Sequence, residues 1–271
     1  MGIRLVAFDL DYTILKTGGL LTEKTISVLH EARHRGIHLV PATGRDLSEM
    51  GELLALLAPR YLVTVNGAVV RDVAEGKILY KKVPPQEALL EKIRLAQSMG
   101  LYTEVYCDGA YTDAYSYENM EALGLPKDQI PMFQATRTVV SDLSRTISLK
   151  GNGEKLHIVF KNDEDKKERQ LPFLNHPDFA YTAAFTNNLE LSNKDVNKAT
   201  GLAALTEILG IDRKEIMTIG DGSNDSCMLE WAGLGVAVAN AVCEAKQAAD
   251  VITLSNDEDG AALAIEKYCL S

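Results

Sequence analysis

Short apolar runs alternate with amphipathic helical stretches at both ends of this chain but not in its middle, and that interrupted alternation restricts the fold more than any other feature. From the N-terminus, the run Leu5-Val6-Ala7-Phe8 is followed by an expected helix over about 22–34, a strand over 37–40, a helix over 46–57 and a strand over 61–65. The pattern resumes with a helix over about 195–209, a strand over 216–219, a helix after Asn224, a strand over 235–238 and a helix after Asn240. Strands separated by helices return in the same direction, so both ends are expected to build one α/β domain around a Rossmann-like parallel sheet.

From about residue 84 to 185 the composition moves toward Tyr, Thr, Asn and charged residues, with two helical stretches and strand-like segments over 102–106 and 155–160. This middle is expected to fold as an inserted α+β cap. Pro84-Pro85 marks the first hinge, because paired prolines stiffen a connection and cannot continue a strand ladder, and the return hinge falls near 186–188. The expected division is 1–83 and 189–271 for the core and 84–188 for the cap. The densest charge run, 162–169, reads as the exposed face and N-terminus of a helix and receives no role.

With 271 residues and 46% hydrophobic content, the chain is long enough for a core plus an insertion. Its formal net charge of −10 argues against nucleic-acid partners, whose affinity comes mostly from cationic contacts to phosphates. Cys107, Cys227, Cys243 and Cys269 form no Cys-x-x-Cys pair, which suggests neither zinc nor a disulfide framework. The chain enters a strand almost at once, without the basic, apolar and cleavage regions of a secretory signal. The apolar region 53–70 is broken by Pro59, Arg60 and Asn66, which rules against a membrane span. A cytoplasmic protein with no membrane partner is the simplest expectation, and the oligomeric state is left open.

Asp9-Leu10-Asp11-Tyr12-Thr13 ends the first strand, where α/β sheets carry their active sites. On its own this segment reads equally as a turn, since Asp and Thr side chains bond nearby backbone amides. Two residues along, Asp11 is expected to point to the same side of an extended segment as Asp9. Thr43 and Gly44 follow the second strand, where a hydroxyl, neighbouring amides and a close backbone approach suit a phosphoryl oxygen; helix capping is the competing role. Arg45 reads equally as a phosphate or substrate contact and as a surface charge. Lys198 stands at a helix start, unfavourable beside the macrodipole unless an anion offsets it.

Gly220-Asp221-Gly222-Ser223-Asn224-Asp225 follows a strand and opens a helix, with oxygen-bearing side chains fit for a hard cation. A calcium loop is excluded, because Ser226 stands where the turn glycine belongs and Ala232 where the bidentate glutamate belongs. Mg2+ suits better, with few carboxylates and retained waters. Phosphate monoesters repel anionic nucleophiles, so a carboxylate attacks phosphorus only where a divalent cation masks charge on both partners.

The order of these segments, two Asp, then Thr, then Lys, then a paired Asp, resembles the four motifs of the haloacid dehalogenase superfamily of phosphatases. Leu189-Glu190-Leu191 followed by Lys198 resembles the third motif, with Lys194 as a nearby rival that the spacing disfavours. The resemblance implies that Asp9 is the nucleophile, forming an aspartyl-phosphate, and that Asp11 is the general acid and base, its main-chain carbonyl also a metal ligand. It implies Mg2+ bound at Asp9, Asp11 and Asp221, with Asn224 and Asp225 as ligands or as partners that orient its waters and Lys198. Thr43, Gly44, Arg45, Asn66, Lys198 and Asn224 would meet the phosphate or the substrate, although Asn66 and Asn240 read equally as a turn and a helix cap.

The cap position resembles the Cof-type branch with its C2B cap, whose members mostly hydrolyse small phosphorylated metabolites such as sugar phosphates. Tyr12 departs from that pattern, standing where a glycine is usual, and is bulky enough to narrow the entrance. In the cap, Tyr106, Asp108, Tyr115, Arg137, Lys155 and His157 are either polar substrate contacts or structural. Three alternatives accompany the phosphatase: a phosphomutase using the same Asp9, a non-catalytic sensor of a phosphorylated ligand, and a metal-independent dehalogenase, against which Asp11 and the acidic loop argue.

Overall fold

The N-terminal apolar run becomes the fully buried strand Leu5–Phe8, an inner strand of a five-stranded parallel sheet in the computed structural model of the chain, which describes residues 2–183 and 185–271. Leu5 lies opposite Ile216 on one side and His38 on the other. The sheet order is Val251–Ile252, Leu234–Ala237, Ile216–Gly220, Leu5–Phe8, His38–Pro41. The chain leaves Leu5–Phe8 toward one edge and later returns on its other side, so the carboxyl end of this strand is a topological switch point, where a crevice opens. Leu5, Ala7, Val40, Leu202, Ile216 and Met228 form the core beneath it.

These strands belong to the first of two units, residues 1–44, 51–81 and 197–271. Within it the third expected strand is corrected. Tyr61–Thr64 does not join the parallel sheet as a full strand; it touches it through one bridge, Ala42 with Val63, and pairs antiparallel with Val69–Asp72, which pairs with Lys77–Lys81. The cause is local: Val65 and Asn66 take left-handed backbone angles, φ 51° and 54°, which reverse the chain before a crossover helix can start. The helix expected over 46–57 is also divided. Asp46 caps a single turn at Leu47–Glu49, and Gly51, at φ 48°, separates it from the helix Gly51–Leu57.

The second unit comprises residues 45–50 and 82–196, so both expected boundaries of the insertion move. The return boundary shifts from 188 to 196 because Asn188–Asn193 is an inner strand of this unit, antiparallel to Phe179–Thr182 on one side and Lys155–Val159 on the other. Its six-stranded sheet runs Phe179–Thr182, Asn188–Asn193, Lys155–Val159, Tyr102–Tyr106, Ala110–Asp113, Arg137–Val140. Helices Gln86–Ser98 and Leu143–Lys150 cover one face through Leu89, Ile93, Leu143 and Ile147 against Leu156, Ile158 and Leu191.

The other face is buried yet polar, because alternate residues of adjacent strands bring Glu104 opposite His157 and Tyr106 opposite Lys155. Glu104 accepts from Arg137 Nε at 2.7 Å, Tyr102 Oη at 2.8 Å and Tyr106 Oη at 3.1 Å, and its Oε1 lies 2.8 Å from His157 Nδ1. Lys155 Nζ donates to Glu190 at 2.7 Å. Arg137, Tyr106, Lys155 and His157 are therefore paired with one another's neighbours inside the sheet, while Asp108 and Tyr115 are exposed. The segment 45–50 joins this unit through Glu49, whose carboxylate sits 2.7 Å from Arg137 Nη1 and accepts from Tyr106 Oη at 3.1 Å.

Burial alone would push the Glu104 carboxyl up, but the Arg137 guanidinium and His157 outweigh it and hold it well below the usual carboxylate range. A depressed folded-state value stabilises the fold above the ordinary value of 4.5 and is lost as pH falls below it. Two results are expected. The wild-type thermal midpoint falls steeply below about pH 4.5, and Arg137→Met, which strands Glu104 and Glu49 without their cation, lowers unfolding free energy by about 3–5 kcal/mol in a urea titration.

Among the described residues no helix is long and apolar enough to cross a membrane. All four cysteines are free thiols.

Candidate active site

Asp9, Asp11, Thr13, Thr43, Gly44, Asn66, Lys198 and the loop 220–225 all lie in the first unit. Asp9 is the first residue past the strand Leu5–Phe8, held in extended backbone (φ −71°, ψ 162°) by a bond from its amide to the Ile219 carbonyl at 3.0 Å. The chain then makes one wide helical turn, Leu10–Ile14, instead of continuing extended; Asp11 itself keeps extended angles within it. Asp11 is near enough for its charge to raise the carboxyl groups of both Asp9 and Asp221. Thr13 donates from its hydroxyl to Asp221 Oδ1 at 2.7 Å and so aims that carboxylate.

Lys198 is the first residue of helix Lys198–Leu209, which starts three residues later than expected because Asn197 caps it, accepting from the Thr200 amide at 2.9 Å. The ammonium is fully buried, 2.5 Å from Asp9 Oδ1 and 2.6 Å from Asp225 Oδ1. Burial works against its charge, but Asp225 and Asp9 prevail and raise it above the ordinary lysine value. The anion that the helix start demanded is thus a pair of carboxylates.

Glycines set the height of that helix. A Cβ on Gly201 would lie 2.9 Å from Gly67 Cα and from Val63 Cγ1, and one on Gly67, at φ 101°, would lie 2.0 Å from the Asn197 carbonyl. Gly201→Ala is expected to cost about 1–3 kcal/mol through overpacking and to lower phosphate release by shifting Lys198. Denaturation and a phosphate assay on the same preparation check both effects.

The loop after Ile216–Gly220 is organised by Asp225, fully buried, whose Oδ2 accepts from the amides of Asp221 at 3.0 Å and Gly222 at 2.9 Å. With its other oxygen on Lys198, Asp225 locks loop and ammonium together. Asn224 donates to Asn66 Oδ1 at 3.1 Å, so Asn66 is both a left-handed turn residue and part of this cluster. Thr43 continues the Tyr61–Thr64 ladder, its amide donating to Val63 O at 2.9 Å and its carbonyl accepting from Asn66 at 3.0 Å. It is not a helix cap; Asp46 performs that task. Gly44 sits under Asn66, where a Cβ would lie 3.1 Å from Asn66 Oδ1. Asn240 is likewise no cap: it donates to the Tyr12 carbonyl at 2.8 Å and accepts from the Asn256 amide at 2.9 Å. Arg45 falls in the second unit, its guanidinium bonded to the Glu49 carbonyl at 3.2 Å.

Asp9, Asp221 and Asp225 each present a carboxylate oxygen within 4.8 Å of the others. Burial pushes Asp9 well up despite Lys198, and it pushes Asp221 up to about 6 despite the Thr13 bond, with Asp225 and Asp11 adding to the rise. Buried carboxylates in excess over one ammonium, on hard oxygen donors, fit a divalent cation of the Mg2+ kind.

The haloacid dehalogenase-like hydrolase profile matches residues 6–265, and the chain belongs to that family. It is similar to phosphatase YwpJ of Bacillus subtilis, 28% identical with 96% of this chain and 98% of the relative covered. It is also similar to the 5-amino-6-(5-phospho-D-ribitylamino)uracil phosphatase YcsE of Bacillus subtilis, 27% identical with 99% and 96% covered. A haloacid dehalogenase-like hydrolase from Bacteroides thetaiotaomicron superposes with a TM-score of 0.82 at 27% identity, covering 98% of this chain and 99% of that one. The protein is a phosphoric monoester hydrolase of this superfamily.

Proposed function

We propose that the protein hydrolyses a small phosphorylated metabolite through a covalent aspartyl-phosphate on Asp9, with Mg2+ as cofactor. The observation that carries this reading is Lys198, buried between Asp9 and Asp225 at 2.5 and 2.6 Å, beside a carboxylate cluster. Asp9 and Asp221 would hold the cation, with the Asp11 carbonyl, Asn224 and Asp225 completing or orienting its shell. Mg2+, when bound, neutralises charge on nucleophile and phosphoryl group together.

An Asp9 oxygen attacks phosphorus, and the bond to the leaving alkoxide breaks as Asp11 gives it a proton. Asp11 then takes a proton from water, which attacks phosphorus and releases phosphate, restoring the Asp9 carboxylate. Lys198 and the Thr43 hydroxyl, with the amides near Gly44, steady the charge that develops on the phosphoryl oxygens. Asp225 acts through Lys198, and Thr13 through Asp221. Asn66 and Asn224 contribute to holding phosphate or substrate. The substrate class draws support from relatives such as YcsE, whose named substrate is a phosphorylated ribitylaminouracil.

The test is phosphate release from a panel of sugar phosphates, nucleotides and pyridoxal phosphate, with Mg2+ and with chelator. Release that needs the metal is the expected result. Turnover indifferent to chelation, or isomerisation without free phosphate, would overturn the reading.

A further inference from the structure

Tyr12 occupies a backbone conformation that an aromatic side chain rarely takes. Its angles are φ 57° and ψ 9°, and among the described residues it is the only aromatic one with positive φ. Left-handed backbone is strained for any residue with a bulky Cβ substituent, and such strain persists only where the surroundings impose it. Here they do: Asn240 grips the Tyr12 carbonyl at 2.8 Å, and the next residue, Thr13, is fastened to Asp221 at 2.7 Å.

The side chain offsets little of this strain by burial, because Tyr12 is 58% exposed. Glycine would fit the same turn more easily. A strained, exposed aromatic ring is thus held one residue from Asp11, the group that serves the leaving oxygen. A second apolar side chain borders the same loop: Val242, 43% exposed, donates its amide to the Asp221 carbonyl at 2.9 Å.

We propose that Tyr12 is a specificity-determining residue, whose ring packs against the leaving group of the substrate and selects phosphomonoesters with a flat, apolar ring face close to the ester oxygen. Aromatic rings stack well on such faces, and an acyclic leaving group offers none. This inference rests on the hydrolase reading above.

The experiment compares wild type with Tyr12→Gly, Tyr12→Leu and Tyr12→Phe on pyridoxal 5′-phosphate, glucose 6-phosphate and glycerol 3-phosphate. The expected result is that kcat/KM for the preferred ring substrate, relative to glycerol 3-phosphate, falls about tenfold in the Gly and Leu variants. The fall lies mainly in KM, and Phe keeps the ratio. A fall confined to pyridoxal phosphate identifies a heteroaromatic ring as the ligand; a fall confined to glucose 6-phosphate identifies a sugar face. Tyr12→Gly is also expected to melt no lower than wild type, whereas a packing role would lower the midpoint. An unchanged ratio, or a uniform fall across the three substrates, overturns the role of Tyr12 and leaves the hydrolase reading standing. Wild-type protein that frees phosphate from glycerol 3-phosphate but from neither ring substrate overturns the role of Tyr12, and release from no compound of these or of the wider panel, with Mg2+ present, overturns both.

Discussion

Asp9→Asn is expected to reduce phosphate release by at least ~10⁴-fold while leaving the fold intact. An amide of the same shape cannot attack phosphorus, so the covalent step is lost at its first bond. The stability half of the expectation follows from burial. Asp9 is 7% exposed and its carboxyl is pushed well up by desolvation, so the charge that Asn removes is one the folded state holds at a cost. Lys198 keeps Asp225 at 2.6 Å as its counter-ion. A thermal midpoint within a few degrees of wild type, with no detectable turnover, is the outcome sought. Turnover that survives the substitution would rule out Asp9 as nucleophile.

Lys198→Met should behave in the opposite way, damaging stability and rate together. The ammonium is fully buried between two carboxylates, and its removal leaves Asp9 and Asp225 facing each other in low dielectric. Breaking a buried ion pair from one side costs about 3–5 kcal/mol, and loss of a charge aimed at the transferring group lowers kcat by about 10²–10³. The double variant Lys198→Met with Asp225→Asn separates the two effects. It should recover part of the stability, because the amide oxygen can still accept from the Asp221 and Gly222 amides, and none of the rate. Recovery of both would show that Lys198 serves only to balance charge.

The elements that carry these residues are readable in sequence because their signals are local. An apolar run ending in Asp9 marks the end of a buried inner strand, and the glycine-rich segment around Asp221 announces a tight loop into a helix. Glu49 had no such signal. Its partners are Tyr106, 57 residues away, and Arg137, still farther along, so a residue that reads as the first turn of a core helix belongs to another unit. Leu189-Glu190-Leu191 misled for a different reason: an apolar-polar-apolar triplet suits either sheet, and only the register against Lys155–Val159 and Phe179–Thr182 assigns it. The extended course expected through Asp11 failed because nothing in Asp-Leu-Asp-Tyr-Thr announces a left-handed tyrosine. Its carbonyl is gripped from Asn240, 228 residues away.

The six residues 45–50 have a bearing on how such proteins exchange parts. The chain crosses between the units after Gly44, Met50, Lys81 and Val196, so the second unit is not a contiguous cassette. Transplanting 82–196 alone into a relative would carry Arg137 and Tyr106 without the carboxylate of Glu49 that they bind at 2.7 and 3.1 Å. A workable graft has to bring 45–50 along, and that short piece begins two residues after Thr43. Diversification of the inserted sheet is therefore tethered to the sequence that directly follows Thr43 and Gly44: the two can drift only as a matched set.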